Sequence, residues 1–138
     1  MFSHVTVGCR DMARACMFYD AVLSELGFSR RIVVADGGPQ AACWVVPGQQ
    51  IPRFYVYMPF NGLLATGGNG SMVAFSASSV EAVNYAYAAG MRNGGTCEGV
   101  PNPRPRYGDG YYGGYLRDPD ANKLHLVFRG DLIRADAT

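Results

Sequence analysis

Slid against itself by 68 residues, the sequence places His4 on Met72, Val5 on Val73, Asp11 on Ser79, Tyr19 on Tyr87, Leu23 on Met91 and Gly27 on Gly95. Few of these pairs are identical. Each supplies the same structural service, whether strand residue, helix cap, helix face or helix stop. A slide of 70, allowing for a small insertion, sets His125 on Tyr55. Self-similarity at a fixed period is the mark of a duplicated supersecondary unit. A single sheet with a helix on one side leaves its other face bare, so two copies cover one another's deficit.

The repeated unit reads as β-α-β-β-β. Residues 2–8 alternate, with Phe2, His4 and Thr6 on one side and Ser3, Val5 and Val7 on the other, which is strand periodicity. Asp11 is a good N-cap, and Ala15, Phe18, Tyr19, Val22 and Leu26 follow at helical spacing to a stop at Gly27. Strands are expected at 28–34, 41–46 and 54–58. Asn61–Gly70 carries four glycines and reads as a linker. The pattern then restarts with a strand at 71–76, a capping box at Ser78–Glu81, a helix to Gly94-Gly95, and strands at 96–100, 111–116 and 124–128. The reading is one α+β domain over 1–138: module 1 at 1–60, linker 61–70, module 2 at 71–130, and a short tail at 131–138.

At 138 residues the chain can bury about two-thirds of its unfolded surface. A net charge of +1 gives no field to recruit nucleic acid or an anionic membrane. No run reaches the length of a membrane span, and the N-terminus lacks the basic and apolar regions of a secretion signal. Cys9, Cys16, Cys43 and Cys97 show neither metal spacing nor disulfide density, so reduced thiols and a cytoplasmic location are expected. No phosphate-cradling glycine loop opens a helix, and no serine sits in a nucleophile elbow. Lys123 is the sole lysine among twelve cations, and the arginines supply forked donors suited to carboxylate or phosphate.

His4-Val-Thr-Val, Phe18-Tyr19-Asp20, Leu26-Gly27-Phe28 and the closing Arg117-Asp-Pro-Asp-Ala-Asn-Lys-Leu-His125 span nearly the whole chain. With the tandem repeat they resemble the vicinal oxygen chelate superfamily, which includes glyoxalase I, extradiol dioxygenases, fosfomycin-resistance enzymes and bleomycin-binding proteins. The Asp-Pro-Asp-x-Asn turn is its most specific single piece. The resemblance implies a curved mixed sheet forming a cleft, with the helices on the outer faces. It also implies a homodimer, a small-molecule ligand, and in metal-dependent members one ligand from each of four equivalent strands.

Those four places hold His4, Tyr55, Met72 and His125. A divalent ion such as Zn, Ni, Mn or Fe wants a carboxylate or thiolate beside its imidazoles. Here there are two imidazoles, a thioether and a phenol that is neutral at ordinary pH. Two readings of His4 and His125 therefore stand at this point. Either they ligate a divalent metal completed by Tyr55, water or substrate, or they line a cleft and hydrogen-bond within it.

Tyr57 and Tyr115 should flank the ligand-like positions, and with Tyr55 and Met72 they are the expected substrate-binding set. Gly99–Gly110, with three prolines, reads as a long surface loop near the cleft mouth, where Arg104 and Arg106 would clamp an anionic group. Ala121 stands where the family's turn usually has glycine. If that position needs φ > 0, alanine costs about 1 kcal/mol. The functional expectation has two branches. One is a lyase, isomerase or thiol transferase with a degraded metal site. The other is a metal-independent small-molecule binder.

Overall fold

The computed structural model describes residues 1–136. Module 1 comprises β1 (His4–Gly8), α1 (Met12–Ser24), β2 (Ser29–Arg31), β3 (Ala41–Val45) and β4 (Arg53–Tyr57). Module 2 repeats the order with β5 (Val73–Ser76), α2 (Val80–Arg92), β6 (Thr96–Pro103), β7 (Tyr111–Arg117) and β8 (Lys123–Arg129). Each module makes its own four-stranded mixed sheet, in the orders β1-β4-β3-β2 and β5-β8-β7-β6. The first and last strands of each module run parallel, the other pairs antiparallel. The curved sheet expected from sequence is thus two sheets, with β1 and β5 at the facing edges and no ladder between them.

The register confirms the repeat residue by residue. Thr6 pairs with Tyr55 in one sheet and Ala74 with His125 in the other. Thr6 and Ala74 differ by 68 and Tyr55 and His125 by 70, so both slides seen in the sequence are real structural equivalences.

Both helices start where a side chain can satisfy an orphan N–H. Asp11 accepts from Arg14 N and Ser79 from Ala82 N. The second cap lies one residue later than the Ser78–Glu81 box predicts. Ala77 is still donating to Val127 O, so the chain leaves its strand only after that bond. The helix stops match at Gly27 and Gly94, both at positive φ, rather than at Gly27 and Gly95. β2 is shorter than expected, and Ile32, Val33 and Val34 run on beyond it as exposed chain.

The helices pack on one face of both sheets and against each other. A Cβ at Gly90 of α2 would run into Leu116, Val22 and Phe18, so glycine lets the two helices approach at that point. One core results, with Phe18, Tyr19, Val22, Trp44, Phe54, Phe75, Val83, Leu116, Leu124 and Leu126 buried together. Phe54 and Phe75 meet edge to face across the module boundary at 5.1 Å. Burying side chains of this size contributes about 1.5–3 kcal/mol each.

The Asp118–Asn122 turn is the second bond between modules, and it is polar. Asp118, only 4% exposed, accepts from the Tyr19 hydroxyl at 2.6 Å and from Asp120 N, Asn122 N and Asn122 Nδ2. Asp120 accepts from Arg10 N and from the Arg14 guanidinium, both at 2.9 Å. Asn122 Nδ2 also donates to Gly8 O at 2.8 Å. Ala121 sits at φ 68, the left-handed conformation anticipated for it.

The segment read as a spacer between modules is packed. Ala65 is buried, its carbonyl accepts from Arg10 Nε, and it presses on Gly8. Gly67 lies so close to the Ala121 carbonyl that no side chain fits between them. Residues 131–136, expected as tail, belong to a helix, α3 (Gly130–Asp136); positions 137–138 lie outside the described residues.

Candidate functional site

Strand alternation sends Phe54, Val56, Leu124 and Leu126 toward the helices, and sends Tyr55, Tyr57, His125 and Tyr115 to the opposite faces of the two sheets. Over the first sheet this face is the floor of a cavity of about 740 Å³. His4, Thr6, Tyr55 and Tyr57 form the floor, and residues 58–66 arch beside it with Met58, Phe60, Leu63 and Leu64. His4 meets Tyr55 edge-on at 5.5 Å, and Tyr55 lies 5.8 Å from Tyr57. Arg53 reaches the Tyr55 hydroxyl at 3.5 Å. The His4 ring is exposed, its Nδ1 3.0 Å from Ser3 Oγ.

The corresponding face of the second sheet is filled by its own side chains. His125, 2% exposed, lies parallel to Tyr115 at 4.0 Å and to Tyr111 at 5.8 Å. The imidazole occupies the space a side chain at Gly113 would take, since a Cβ there would sit 2.6 Å from its Cε1. Its Nδ1 faces the Gly114 carbonyl at 2.9 Å, and its Nε2 faces the Tyr111 hydroxyl at 2.7 Å. A carbonyl only accepts, so Nδ1 carries the proton and Nε2 takes the Tyr111 proton on its lone pair. Burial lowers the pKa of His125 against the raising effect of the Gly114 bond, and Arg104, Lys123 and Arg129 lower it further. The ring is neutral. Tyr111 is raised by burial and keeps its hydroxyl proton.

Arg104 and Lys123 both lie over the Tyr115 ring, at 4.9 and 5.3 Å from its centroid. Arg104 is further fixed by bonds to Gly113 O and Val100 O. Arg106 instead stays at the exposed surface on Tyr107, bonded to its hydroxyl. The two arginines therefore do not form one clamp. The long loop predicted at 99–110 is also shorter than expected. β6 continues to Pro103, paired with Tyr112, and a single 3₁₀ turn at Pro105–Tyr107 returns the chain. Met72 lies just outside β5, 45% exposed, on a second cavity of about 350 Å³ beside the first.

His4 and His125 are thus not brought together within the chain. One opens onto a cavity over the first sheet and the other is sealed in the second. The donor set does not fit a divalent ion. None of the four equivalent positions offers a carboxylate, and both nitrogens of His125 are already engaged. Among the described residues no three His, Cys, Asp or Glu side chains converge to hold a metal.

Two contributors escaped the sequence reading. Gly113 makes room for His125, a role signalled only by the Tyr-Tyr-Gly-Gly-Tyr spacing on one strand. Residues 58–66 wall the cavity, and the glycines of 61–70 masked the apolar Leu63 and Leu64 among them.

Two sheets of this order, joined through one core, define a vicinal oxygen chelate fold. A glyoxalase/bleomycin resistance protein from Albidiferax ferrireducens superposes with a TM-score of 0.78 at 41% identity, over 94% of this chain and 98% of that one. A glyoxalase-related enzyme from Fulvimarina pelagi (TM-score 0.69, 17% identity, 94% and 88% of the chains) shares the fold. So does the fosfomycin resistance protein FosX from Mesorhizobium loti (0.64, 18%, 98% and 97%). No family model matches the sequence, and no curated protein does. The chain belongs to the glyoxalase/bleomycin resistance protein family.

Proposed function

We propose that this protein binds a small amphipathic molecule over its first sheet without the help of a metal ion. The observation that carries the reading is the wall of that 740 Å³ cavity: two neighbouring phenols, an imidazole and an apolar strap, with no carboxylate at any ligand-equivalent strand position. Pockets of this size that mix apolar and aromatic walls with polar side chains suit small amphipathic ligands. The bleomycin-resistance name of its relative, and the family's habit of dimerising, support a homodimeric binder as the working form. Four free cysteines, three of them buried, accord with a cytoplasmic location.

A second reading is favoured by one detail. His4 faces the cavity exposed, and no described hydrogen bond uses its Nε2. On this reading that nitrogen serves as the general base of a lyase, isomerase or thiol-transfer reaction.

The test is titration with a neutral aromatic probe, N-phenyl-1-naphthylamine, with metal analysis of the same protein. Saturable binding that resists chelators and weakens about three- to tenfold in Tyr55→Ala or Tyr57→Ala supports the binder. Stoichiometric metal, lost together with probe binding in a His4→Ala/His125→Ala double variant, overturns it. Probe binding that survives His4→Ala while turnover of any substrate is abolished moves the assignment to the second reading.

A further inference from the structure

The 740 Å³ cavity and the smaller 350 Å³ cavity are neighbours with a common wall, because Thr6, Val7, Gly8 and Thr66 line both. Their chemistry differs. The larger is lined by aromatic and apolar side chains interspersed with neutral polar ones, Thr6, Asn61 and Thr66 among them. The smaller carries Lys123, at the first position of β8.

Lys123 is in none of the ion pairs seen among the described residues, which join Arg14 to Asp120, Arg30 to Asp20, Arg117 to Glu98 and Arg129 to Asp131. It also shares the Tyr115 ring with Arg104, another cation that forms no ion pair there. Two cations over one phenol repel each other, and an anion between them and the cavity relieves that repulsion. Arg104 is held down by two carbonyls. Lys123 sits over Tyr115, near enough to the Arg117-paired Glu98 to help lower that carboxyl's pKa, and its flexible stem lets the compact ammonium turn toward the cavity it lines.

We infer that the two cavities form one bipartite site for an amphipathic carboxylate, its aromatic or alkyl body against Tyr55 and Tyr57 and its anionic group against Lys123. The inference rests on the binder reading above and adds to it the charge of the ligand. A strand-borne cation next to an apolar floor discriminates by charge, while the floor supplies contact area without choosing between an acid and its neutral analogue.

A matched pair of probes tests it. 4-Phenylbutyrate and 4-phenylbutanol present the same body with and without the carboxylate. Calorimetric titration of the full chain should show the acid bound about three- to fivefold more tightly at low salt, with the preference shrinking as salt is added. Lys123→Met should erase the preference and leave phenylbutanol unchanged, Lys123→Arg should keep it, and Tyr57→Ala should weaken both probes alike. Thermal unfolding of each variant checks that it is folded. Equal binding of acid and alcohol by the unaltered protein, or an acid preference that survives Lys123→Met, overturns the anionic lobe and leaves the aromatic binder standing. Binding of neither probe overturns both.

Discussion

The Tyr111 hydroxyl and His125 Nε2 meet at 2.7 Å, with their rings 18° from parallel. The Gly114 carbonyl fixes a proton on Nδ1, and burial, which lowers the pKa of His125, keeps the ring neutral so that Nε2 accepts from Tyr111. The nitrogen NMR spectrum should show this tautomer at neutral pH. The sign of the pH dependence follows. A histidine whose pKa is lowered on folding binds its proton more readily when unfolded, so stability rises with pH across the interval between the two values. The contribution of His125 should be full above about pH 6.5, the ordinary histidine value, and fall away as pH drops toward its lowered folded value. Denaturant midpoints between pH 5 and 8 should show this slope, and His125→Gln should flatten it.

Gly113→Ala sets a methyl against the imidazole and 2.9 Å from Leu126 O. Overpacking of this kind costs about 1–3 kcal/mol. Urea unfolding should report a loss in that range. Adding His125→Ala should recover part of the loss, since the backbone contact remains.

The turn at Ala121 offers substitutions of opposite sign. Ala121→Gly removes the left-handed strain at φ 68 and should stabilise the fold by about 1 kcal/mol. Gly67→Ala drives a methyl into the Ala121 carbonyl and should cost more than Ala121→Gly gains. Melting temperatures of the two variants, shifted in opposite directions, check both.

Most of the fold was readable because it rests on local chemistry. Asp11 and Ser79 cap helices through their own side chains, and Val5, Phe54 and Leu124 declare their face by alternation. The site was less readable because its geometry is set between elements. Equivalent strand positions suggested that His4 and His125 converge. What decides otherwise is how Tyr111, Gly113 and Tyr115 close over His125, and one strand's side chains can fill their own sheet face as readily as leave it open. Arg104 and Arg106 differ by two residues and looked alike. The extension of β6 to Pro103 gives them different surroundings, and strand length depends on pairing with β7.

The polar turn at Asp118–Asn122 has a consequence for the chain's ancestry. A duplicated unit begins as two identical halves, with no bond that one copy makes and the other does not. Here module 2 holds the buried carboxylate of Asp118, and module 1 supplies the Tyr19 hydroxyl that satisfies it, while Gly8 and Arg10 bond to Asn122 and Asp120. Either half alone would carry half of a hydrogen-bond network and half of an aromatic core. The two copies now complete one another's bonds, and the repeat survives as symmetry in a structure whose buried polar network no longer repeats with it.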